Sequence, residues 1–495
     1  MGSHSESEIF RVFLGWRNFM KTRIFPASPN QIRHWRHACR FPESPALNMT
    51  VGLRMEGFLD LDTLRLAVVR TLERHDSLFA KPFWADGELY WESAALKDPD
   101  SILEIVRCED KRTVLEEIRN EAKRPFRLEE EYPVRARIFP ISEFENIIIL
   151  NVHHISLDGW SVELLIREIA TRYNNLFLGD PDTNPKKTTS FEGFSKYQSE
   201  FELTSHGISD SSYWKKELEN AKTGVGFPPD IRESGFSSWP LGRMSWSFLT
   251  AELSDLTKEA AKVAGVTPFI FLVGAFARLL GLESAEDDVL VGVPFVNRLR
   301  PEDANLVGFV VNTLPLRFKL SERNDSEYIR NVSRTCGAAF LHQRLPYVNI
   351  LRDLGPEYET SAKPVFRTMF ILQGSQTARN QFLGLNCNQS WISTGGAKYE
   401  QTWTIEERNG AYTLDVEWNP ELFSDEKIAC LMESYGEILR NLANHFVSGK
   451  DGKEGAGAGK NLSWPELKDL ADFFSGPIVL ESDSNLDLKI RRHGG

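Results

Sequence analysis

The 495-residue chain is poor in cysteine, has no excess of positive charge and contains no long apolar run. Its five cysteines are scattered, and no two form a CxxC pair: Cys39, Cys108, Cys336, Cys387 and Cys430. This pattern indicates neither a zinc site nor a disulfide framework and is typical of reduced thiols in the cytoplasm. No window reaches the ~18 apolar residues that a membrane span needs. The net charge of −12 disfavours a nucleic-acid-binding face. We expect a cytoplasmic protein with no metal site and no nucleic-acid or membrane partner.

The two ends of the sequence differ in composition from its middle. The first residues, MGSHSESE, lack the apolar core of a signal peptide and resemble a vector-derived remnant. Residues 448–461, SGKDGKEGAGAGKN, are typical of a flexible linker. They do not match a phosphate-binding loop, because Glu454 stands where the first Gly is required and Asn461 follows the Lys. We therefore expect the folded part of the chain to lie between these ends.

Strand-like and helix-like segments alternate through the middle of the chain, which indicates an α/β or α+β protein. The segment DLDTLRLAVVRTLERHDSL (60–78) predicts a helix with Asp62 as its N-cap. Thr267 and Pro268 predict the N-cap and first residue of a second helix, which runs to about Leu280. Turn residues cluster at 178–190 and mark a candidate boundary between two halves.

Several segments have the composition of strands. PVRARIF (133–139) alternates apolar residues with Arg135 and Arg137, which predicts a strand with one face in solvent. NIIILNV (146–152) is apolar without alternation, as expected of a strand covered on both faces. DVLVGVPF (288–295) and NTLPLRFKL (312–320) predict two more strands in the second half.

The most informative stretch is NIIILNVHHISLDGWSVELLIREI (146–169), where a buried strand ends in two histidines before Asp158 and Gly159. Neighbouring residues of an extended segment point to opposite sides, so we expect one structural and one available imidazole. The apolar positions after Gly159 follow a helical period. A helix start offers free N–H groups that suit a developing oxyanion, and a histidine exchanges protons near neutral pH. The pattern predicts a transfer site with one base and one fixing carboxylate.

Other interpretations of this stretch stay open on spacing alone. Histidines at a strand end are often hydrogen-bonded core residues, and two histidines with an aspartate also suit a metal. The opposite directions of His153 and His154 disfavour the metal, and no further cluster of ligands stands nearby. A serine nucleophile is disfavoured because there is no GxSxG motif and Ser161 lies in the first helical turn, where serine commonly caps.

HHISLDGWS resembles the His-His-x-x-x-Asp-Gly signature of condensation domains of nonribosomal peptide synthetases. Further segments resemble that family's other motifs in the same order, across about residues 20–448: SPNQIRHW (28–35), RHDSLFAKPF (74–83), SFEGFSKYQ (190–198), YWKKEL (213–218), PFVNRLRPEDANLVGFVVNTLPLR (294–317), HQRLPYVNI (342–350) and KPVFRTMFIL (363–372). Three positions depart from the family pattern. Asn30 and His34 replace the commoner Ala and Leu, and Phe79 stands where Arg is usual.

The resemblance implies an α/β fold of two chloramphenicol-acetyltransferase-like lobes that form a V-shaped pseudo-dimer, with an active-site tunnel between them. We accordingly expect a tag remnant and N-terminal extension at 1–19 and an N-terminal lobe at 20–185. The crossover and C-terminal lobe would occupy 186–448, and the linker and tail 449–495. The chain would be a monomer, either free-standing or part of a larger synthetase with an adenylation domain.

The activity that the resemblance implies is amide formation, in which the acceptor's amine attacks the donor's thioester. The substrates would be presented on the phosphopantetheine arms of donor and acceptor carrier proteins, with no cofactor bound covalently to this chain. Carried over by motif position, His154 is the catalytic histidine, His153 the structural one, and Asp158 the partner of Arg298. Gly159 would let the backbone approach the reacting centre.

Three further residues are expected at the tunnel or the substrate: Asn312, Trp160 and Ser161. For Asn312 the alternative of a strand-start capping residue stays open.

Two other functions share the fold. An acyl-coenzyme A-dependent acyltransferase typically keeps one histidine, and a catalytically silent recruitment module usually has an eroded motif, whereas both histidines stand here. Carrier docking would use local basic patches, because the net charge gives no general attraction to an acidic carrier. Candidates for this docking surface are Arg33, Arg36 and Arg40, then Lys186–Lys187 or Arg298–Arg300.

Overall fold

The computed structural model describes residues 23–93, 101–180, 190–231, 241–322, 324–359, 363–373, 382–408 and 410–448. The predicted tag remnant, the basic pair Lys186–Lys187 and the predicted linker and tail lie outside these residues.

Strands and helices alternate along the chain. The strands are β1 (Arg23–Pro26), β2 (Asn48–Glu56), β3 (Ala80–Ala85), β4 (Glu88–Ser93), β5 (Leu103–Ile105), β6 (Val134–Ser142), β7 (Glu145–His153), β8 (Arg243–Phe248), β9 (Asp288–Phe295), β10 (Asn312–Lys319), β11 (Thr368–Gln373), β12 (Asn386–Ile392), β13 (Gln401–Arg408) and β14 (Ala411–Trp418). The helices are α1 (Pro29–Arg40), α2 (Leu61–Leu72), α3 (Lys111–Lys123), α4 (Gly159–Leu178), α5 (Phe191–Phe201), α6 (Ser205–Glu217), α7 (Ala251–Ala264), α8 (Pro268–Ser284), α9 (Asp325–Leu341), α10 (Tyr347–Leu354), α11 (Pro356–Glu359) and α12 (Asp425–Ser448).

The first half builds a five-stranded sheet in the order β12-β2-β7-β6-β5. Helices α2 and α4 share one apolar core with this sheet, and α3 shares another with residues of β6 and β7. Strand β7 lies in the middle of the sheet and is buried from Asn146 to its end, as its unbroken apolar run predicts.

Two details of this half differ from the prediction. Strand β6 is not half-exposed, because α3 covers its second face and Arg135 is buried there with its Nε 2.5 Å from Glu121 Oε1. The N-cap of α2 is Asp60, whose side chain accepts a hydrogen bond from Thr63 N at 3.0 Å, and Asp62 lies in the first turn instead.

The second half builds a six-stranded sheet in the order β10-β9-β11-β13-β14-β8. Helices α7, α8, α9 and α12 contribute to one large apolar core with this sheet. Helix α8 begins as predicted, with Thr267 as N-cap and Pro268 as its first residue, and ends at Ser284. No single described helix has the length and apolarity of a membrane span; α7 and α8 reach them only as a pair, bent by 105°.

The halves are not separate, because a strand of the second half completes the sheet of the first. Strand β12 pairs antiparallel with β2, from Asn386 opposite Glu56 to Ile392 opposite Thr50. The boundary near 178–190 gave no sign of this exchange. The segment that follows β12 then carries Lys398 close to the end of β7, where the two histidines lie.

A smaller apolar cluster also joins the halves. It combines residues of α1, of the three-stranded sheet β1-β4-β3 and of α5 with Ile155, Leu306 and Val310. Ile155 directly follows the histidine pair, whereas Leu306 and Val310 come from the segment between β9 and β10. The turn after β7 is therefore anchored in apolar contacts from both halves.

Candidate active site

His153 is the last residue of β7 and is a buried part of the hinge between β7 and α4. Its side chain is 4% exposed, and its Nδ1 accepts a hydrogen bond from Ile155 N at 3.1 Å. Burial, and next the neighbouring His154, hold the pKa of His153 well below its usual value. A neutral imidazole that accepts a bond from the turn supports the backbone and has little contact with solvent.

His154 points to the other side, as the alternation predicts, and is partly buried. Its backbone N–H donates to Leu47 O at 2.7 Å, and its Nδ1 lies 2.7 Å from Leu157 O. Because a carbonyl oxygen only accepts, Nδ1 carries the proton in the neutral ring. The lone pair of Nε2 is then available, and among the described residues this atom has no hydrogen-bond partner.

Burial lowers the pKa of His154 to about 3, and the charge of Lys398 acts in the same direction, against the carbonyl of Leu157 and the carboxylate of Asp158. The ring is therefore neutral at physiological pH. A neutral imidazole with a free Nε2 is a proton acceptor.

Two further rings lie against His154. The centroid of His34, from α1, is 5.2 Å from that of His154, and Phe309 is 5.3 Å from His154 and 4.4 Å from His34. Phe309 belongs to the segment between β9 and β10, so the site is assembled from both halves of the chain.

Asp158 is the N-cap of α4, and its carboxylate accepts five hydrogen bonds. Oδ1 accepts from Ser161 N at 2.8 Å and from Arg298 Nη2 at 3.0 Å. Oδ2 accepts from Arg298 Nη1 at 3.0 Å, from Val310 N at 2.9 Å and from Val311 N at 3.0 Å. This contact ties the start of α4 to the second half.

The ion pair is almost fully enclosed, with side-chain exposures of 2% for Asp158 and 3% for Arg298. Burial alone would raise the pKa of Asp158, but the Arg298 guanidinium and the Ser161 N–H outweigh it and lower that pKa. The carboxylate is therefore charged and fully bonded, so it has no capacity left to act as a base on a substrate.

Ser161 belongs to the same contact and not to an open surface. It is fully buried, its Oγ accepts from Arg298 Nη2 at 2.6 Å and from Gly308 N at 3.0 Å, and Gly308 O lies 2.9 Å away. It does not cap α4, since Asp158 does. Its hydroxyl is used within the protein, which excludes it as a nucleophile in this conformation.

The first residues of α4 face open space. A Cβ added at Gly159 would meet no atom within 4 Å, so nothing in the described structure requires a glycine there. The neighbouring Trp160 is 51% exposed. The roles predicted for these two residues therefore depend on a substrate and stay predictions.

Asn312 is fully buried, and its amide is committed to the protein. Its Nδ2 donates to Gln343 O at 2.8 Å and to Leu345 O at 2.7 Å. Its Oδ1 accepts from Asn30 Nδ2 and from Tyr347 N, both at 3.0 Å. This geometry favours the structural alternative, in which Asn312 joins β10 to α1 and α10.

The predicted basic docking surface changes in the structure. Arg33 is turned inward, with its Nη1 3.2 Å from Tyr399 Oη, and cannot serve an exposed patch. Arg298 is enclosed with Asp158, and Arg300 donates to Asp303 through two bonds of 2.7 Å. Only Arg36 and Arg40 of the first group are exposed, and Arg36 lies 3.4 Å from Glu359.

Three residues of the site were not predicted: His34, Phe309 and Lys398. Of these, only His34 gave a signal in the sequence, as a departure from the motif SPNQIRHW. The described residues contain no group of three His, Cys, Asp or Glu side chains placed to hold a metal ion. The arrangement is that of one free base beside a helix start, held by a saturated ion pair.

Comparison with known proteins gives a consistent result. The family model for the condensation domain matches residues 21–451. One of the proteins that make up the linear gramicidin synthase of Brevibacillus parabrevis is 30% identical over 442 residues. The match covers 86% of this chain but only 8% of that protein, so the chain spans a small part of the length of such relatives.

Solved structures show the same fold. The condensation domain of the monacolin K polyketide synthase MokA superposes with a TM-score of 0.74 at 20% identity, covering 85% of this chain and 97% of that one. The first condensation domain of the CDA synthetase gives a TM-score of 0.71 at 19% identity, covering 85% and 96%. The predicted fold class is confirmed.

Proposed function

The chain belongs to the condensation-domain family, whose members in nonribosomal peptide synthetases form amide bonds, and we propose that His154 carries this chemistry here. The enzyme is thus an acyltransferase that joins a thioester donor to an amine acceptor. We propose that the donor is an acyl or peptidyl group on the phosphopantetheine arm of a carrier protein, and that a second carrier brings the acceptor.

The observation that carries the proposal is the state of the His154 ring. Its Nδ1–H is held by Leu157 O at 2.7 Å, so the ring orientation and the tautomer are both set. Its pKa of about 3 keeps it neutral at any pH at which an amine reacts. The free Nε2 is therefore a base that is ready before the substrates arrive.

The reaction needs no covalent enzyme intermediate, because a thioester carbonyl is already activated. The amine nitrogen forms a bond to the carbonyl carbon, and the carbonyl π electrons move to oxygen. His154 Nε2 accepts a proton from the nitrogen. When the C–S bond breaks, the sulfur takes that proton and leaves as a thiol.

The start of α4 supplies the second element. Helix starts carry N–H groups without intrahelical partners and a partial positive field. Here α4 begins at Gly159, beside open space and five residues after His154. We propose that a carbonyl oxygen placed there gains stabilisation as its negative charge develops, which is a large contribution in acyl transfer.

Carrier delivery is supported by the length of the relatives. The similar segment of the linear gramicidin synthase protein is only 8% of its length, so the same domain works there inside a much larger chain. An adenylation domain would load the carriers. The exposed Arg36 and Arg40 are the remaining candidates for carrier docking among the residues of α1 that the sequence indicated.

The test compares two donors that carry the same acyl group, one loaded on a carrier protein and one as a coenzyme A thioester. With a free amine as acceptor, thioester loss and amide formation are followed by mass spectrometry. We expect amide formation from the carrier-bound donor and a lower rate from coenzyme A. Equal rates with both donors would instead indicate a soluble acyltransferase.

A further inference from the structure

His34 and His154 form a pair of imidazoles at the same site, although only the second belongs to the histidine motif. Their ring centroids are 5.2 Å apart, and Phe309 makes edge contacts to both rings at 4.4 and 5.3 Å. Both side chains are partly buried. The two rings are therefore close enough for one small amine to contact both.

The two imidazoles share one tautomer. His34 Nδ1 lies 3.4 Å from Asn30 O, one turn earlier on α1, and His154 Nδ1 lies 2.7 Å from Leu157 O. Carbonyl partners place the proton on Nδ1 in each ring, although the long contact of His34 holds it more weakly. Within the described ranges neither Nε2 atom has a hydrogen-bond partner, so both can accept a proton.

The charged and titratable groups around His34 are all basic in the described structure. They come from every element packed against it: Arg33 on α1, His153 and His154 at the hinge, and Lys398 after β12. Burial first, and then these groups, hold the pKa of His34 well below its usual value. His34 therefore stands neutral beside a neutral His154, and a proton that it accepts is passed on.

Amide formation requires two protons to leave the amine if the acceptor arrives as an ammonium ion. An α-amino group has a pKa of about 8, so most of the acceptor is protonated near neutral pH. Resting on the proposed function, we propose that His34 takes the first of these protons, so that His154 stays free to take the second.

The protons and electrons balance as follows. The ammonium gives one proton to His34 Nε2, and the N–H electron pair stays on nitrogen as the attacking lone pair. After the C–N bond forms, His154 Nε2 takes the second proton and delivers it to the departing sulfur. His34 releases its proton to solvent. The sum is thioester plus ammonium giving amide, thiol and one proton.

The experiment measures kcat/KM for a primary amine against pH in the parent and in His34→Leu. Leucine is common at this motif position and similar in size, so the fold should tolerate it. Near pH 6.5, where the amine is mostly protonated, we expect a loss on the order of 10-fold or more. Near pH 9, where the amine arrives neutral, the two rates should converge.

A second amine removes the step from the reaction. Hydroxylamine is a weak base and is largely neutral near pH 7, so His34→Leu should use it almost as well as the parent does. The matched control is His37→Leu, one turn further along α1, whose ring packs on Phe41 with centroids 5.2 Å apart. It should leave both pH profiles at the parent's shape.

The same loss at every pH, or the same loss with both amines, would assign His34 a packing role only and overturn the proposal. An unchanged profile would also overturn it. If His34→Leu does not fold, His34→Gln replaces it, since glutamine is polar but does not accept a proton in this range. A parent that forms no amide would refute the proposed function itself, whereas an active parent with an unchanged variant would refute this inference alone.

Discussion

Two neighbouring regions at the hinge between β7 and α4 treat their polar atoms in opposite ways. At Asp158 and Arg298, five hydrogen bonds reach the carboxylate and both side chains are at most 3% exposed. At His34 and His154, one nitrogen of each ring faces a carbonyl and the other is left without a partner in the described structure. The first region can only hold the halves together, and the second can exchange a proton. One short motif therefore contains two kinds of residue: those that are already bonded and those that wait for a substrate.

The largest effect is expected from Asp158→Ala. Removing one partner of an enclosed ion pair leaves the other charge buried and unpaired, which costs about 3–5 kcal/mol of unfolding free energy. Urea unfolding of the variant and the parent measures it. As a control, Glu116→Ala breaks an exposed pair with Arg112, whose side chains are 53% and 85% exposed, and should change the stability little. Equal midpoints for Asp158→Ala and the parent would contradict the enclosed pair.

Asn312→Ala should give an intermediate effect and decides between two roles for this residue. It removes an amide that bonds α1, β10 and α10 and leaves buried groups unsatisfied, at about 1–3 kcal/mol each. We expect a clear fall in the melting temperature and little change in the rate per folded molecule. Asn388→Ala, on the exposed side of β12, is the control. A loss of rate without a loss of stability would place Asn312 at the substrate instead.

The smallest effect concerns acidity and separates the buried His153 from its neighbour. Its folded pKa lies below the unfolded value of about 6.5, so the unfolded chain binds more protons just below that pH. Its contribution to stability is therefore present above about pH 6.5 and is lost as the pH falls, at up to about 1.4 kcal/mol per unit. Asp158, whose folded pKa is lowered, loses its contribution only at more acidic pH.

Unfolding midpoints at pH 7, 6 and 5 test this assignment in the parent and in His153→Gln. The slope should be shallower in the variant, because glutamine does not titrate. A slope equal to the parent's would show that His153 is not the group responsible.

Local patterns in the sequence predicted the parts of the site that local physics determines. The apolar run before His153 gave a strand covered on both faces, and the alternation of an extended chain put His153 and His154 on opposite sides. The start of α4 at Gly159 followed from the helical period after it. Each of these features depends on residues a few positions apart, so a single sequence contains the information.

The failures have a different physical origin. Arg135 is buried because Glu121, on a helix that precedes it, neutralises it, and Asp60 caps α2 because the helical backbone already begins at Leu61. Strand β12 joins a sheet built more than 300 residues earlier, and His34 meets His154 across 120 positions. Such contacts depend on how the halves assemble, which periodicity and spacing do not encode.

The central claim is that the free Nε2 of His154 performs the chemistry while the saturated contact beside it holds the fold. The most direct test is the single-turnover rate of amide formation from a carrier-bound donor in His154→Ala, measured together with its melting curve. We predict a rate loss of about 100- to 10,000-fold, the range of general acid–base catalysis, in a protein that still melts cooperatively near the parent's temperature. A folded His154→Ala that keeps a near-parental rate would contradict the account.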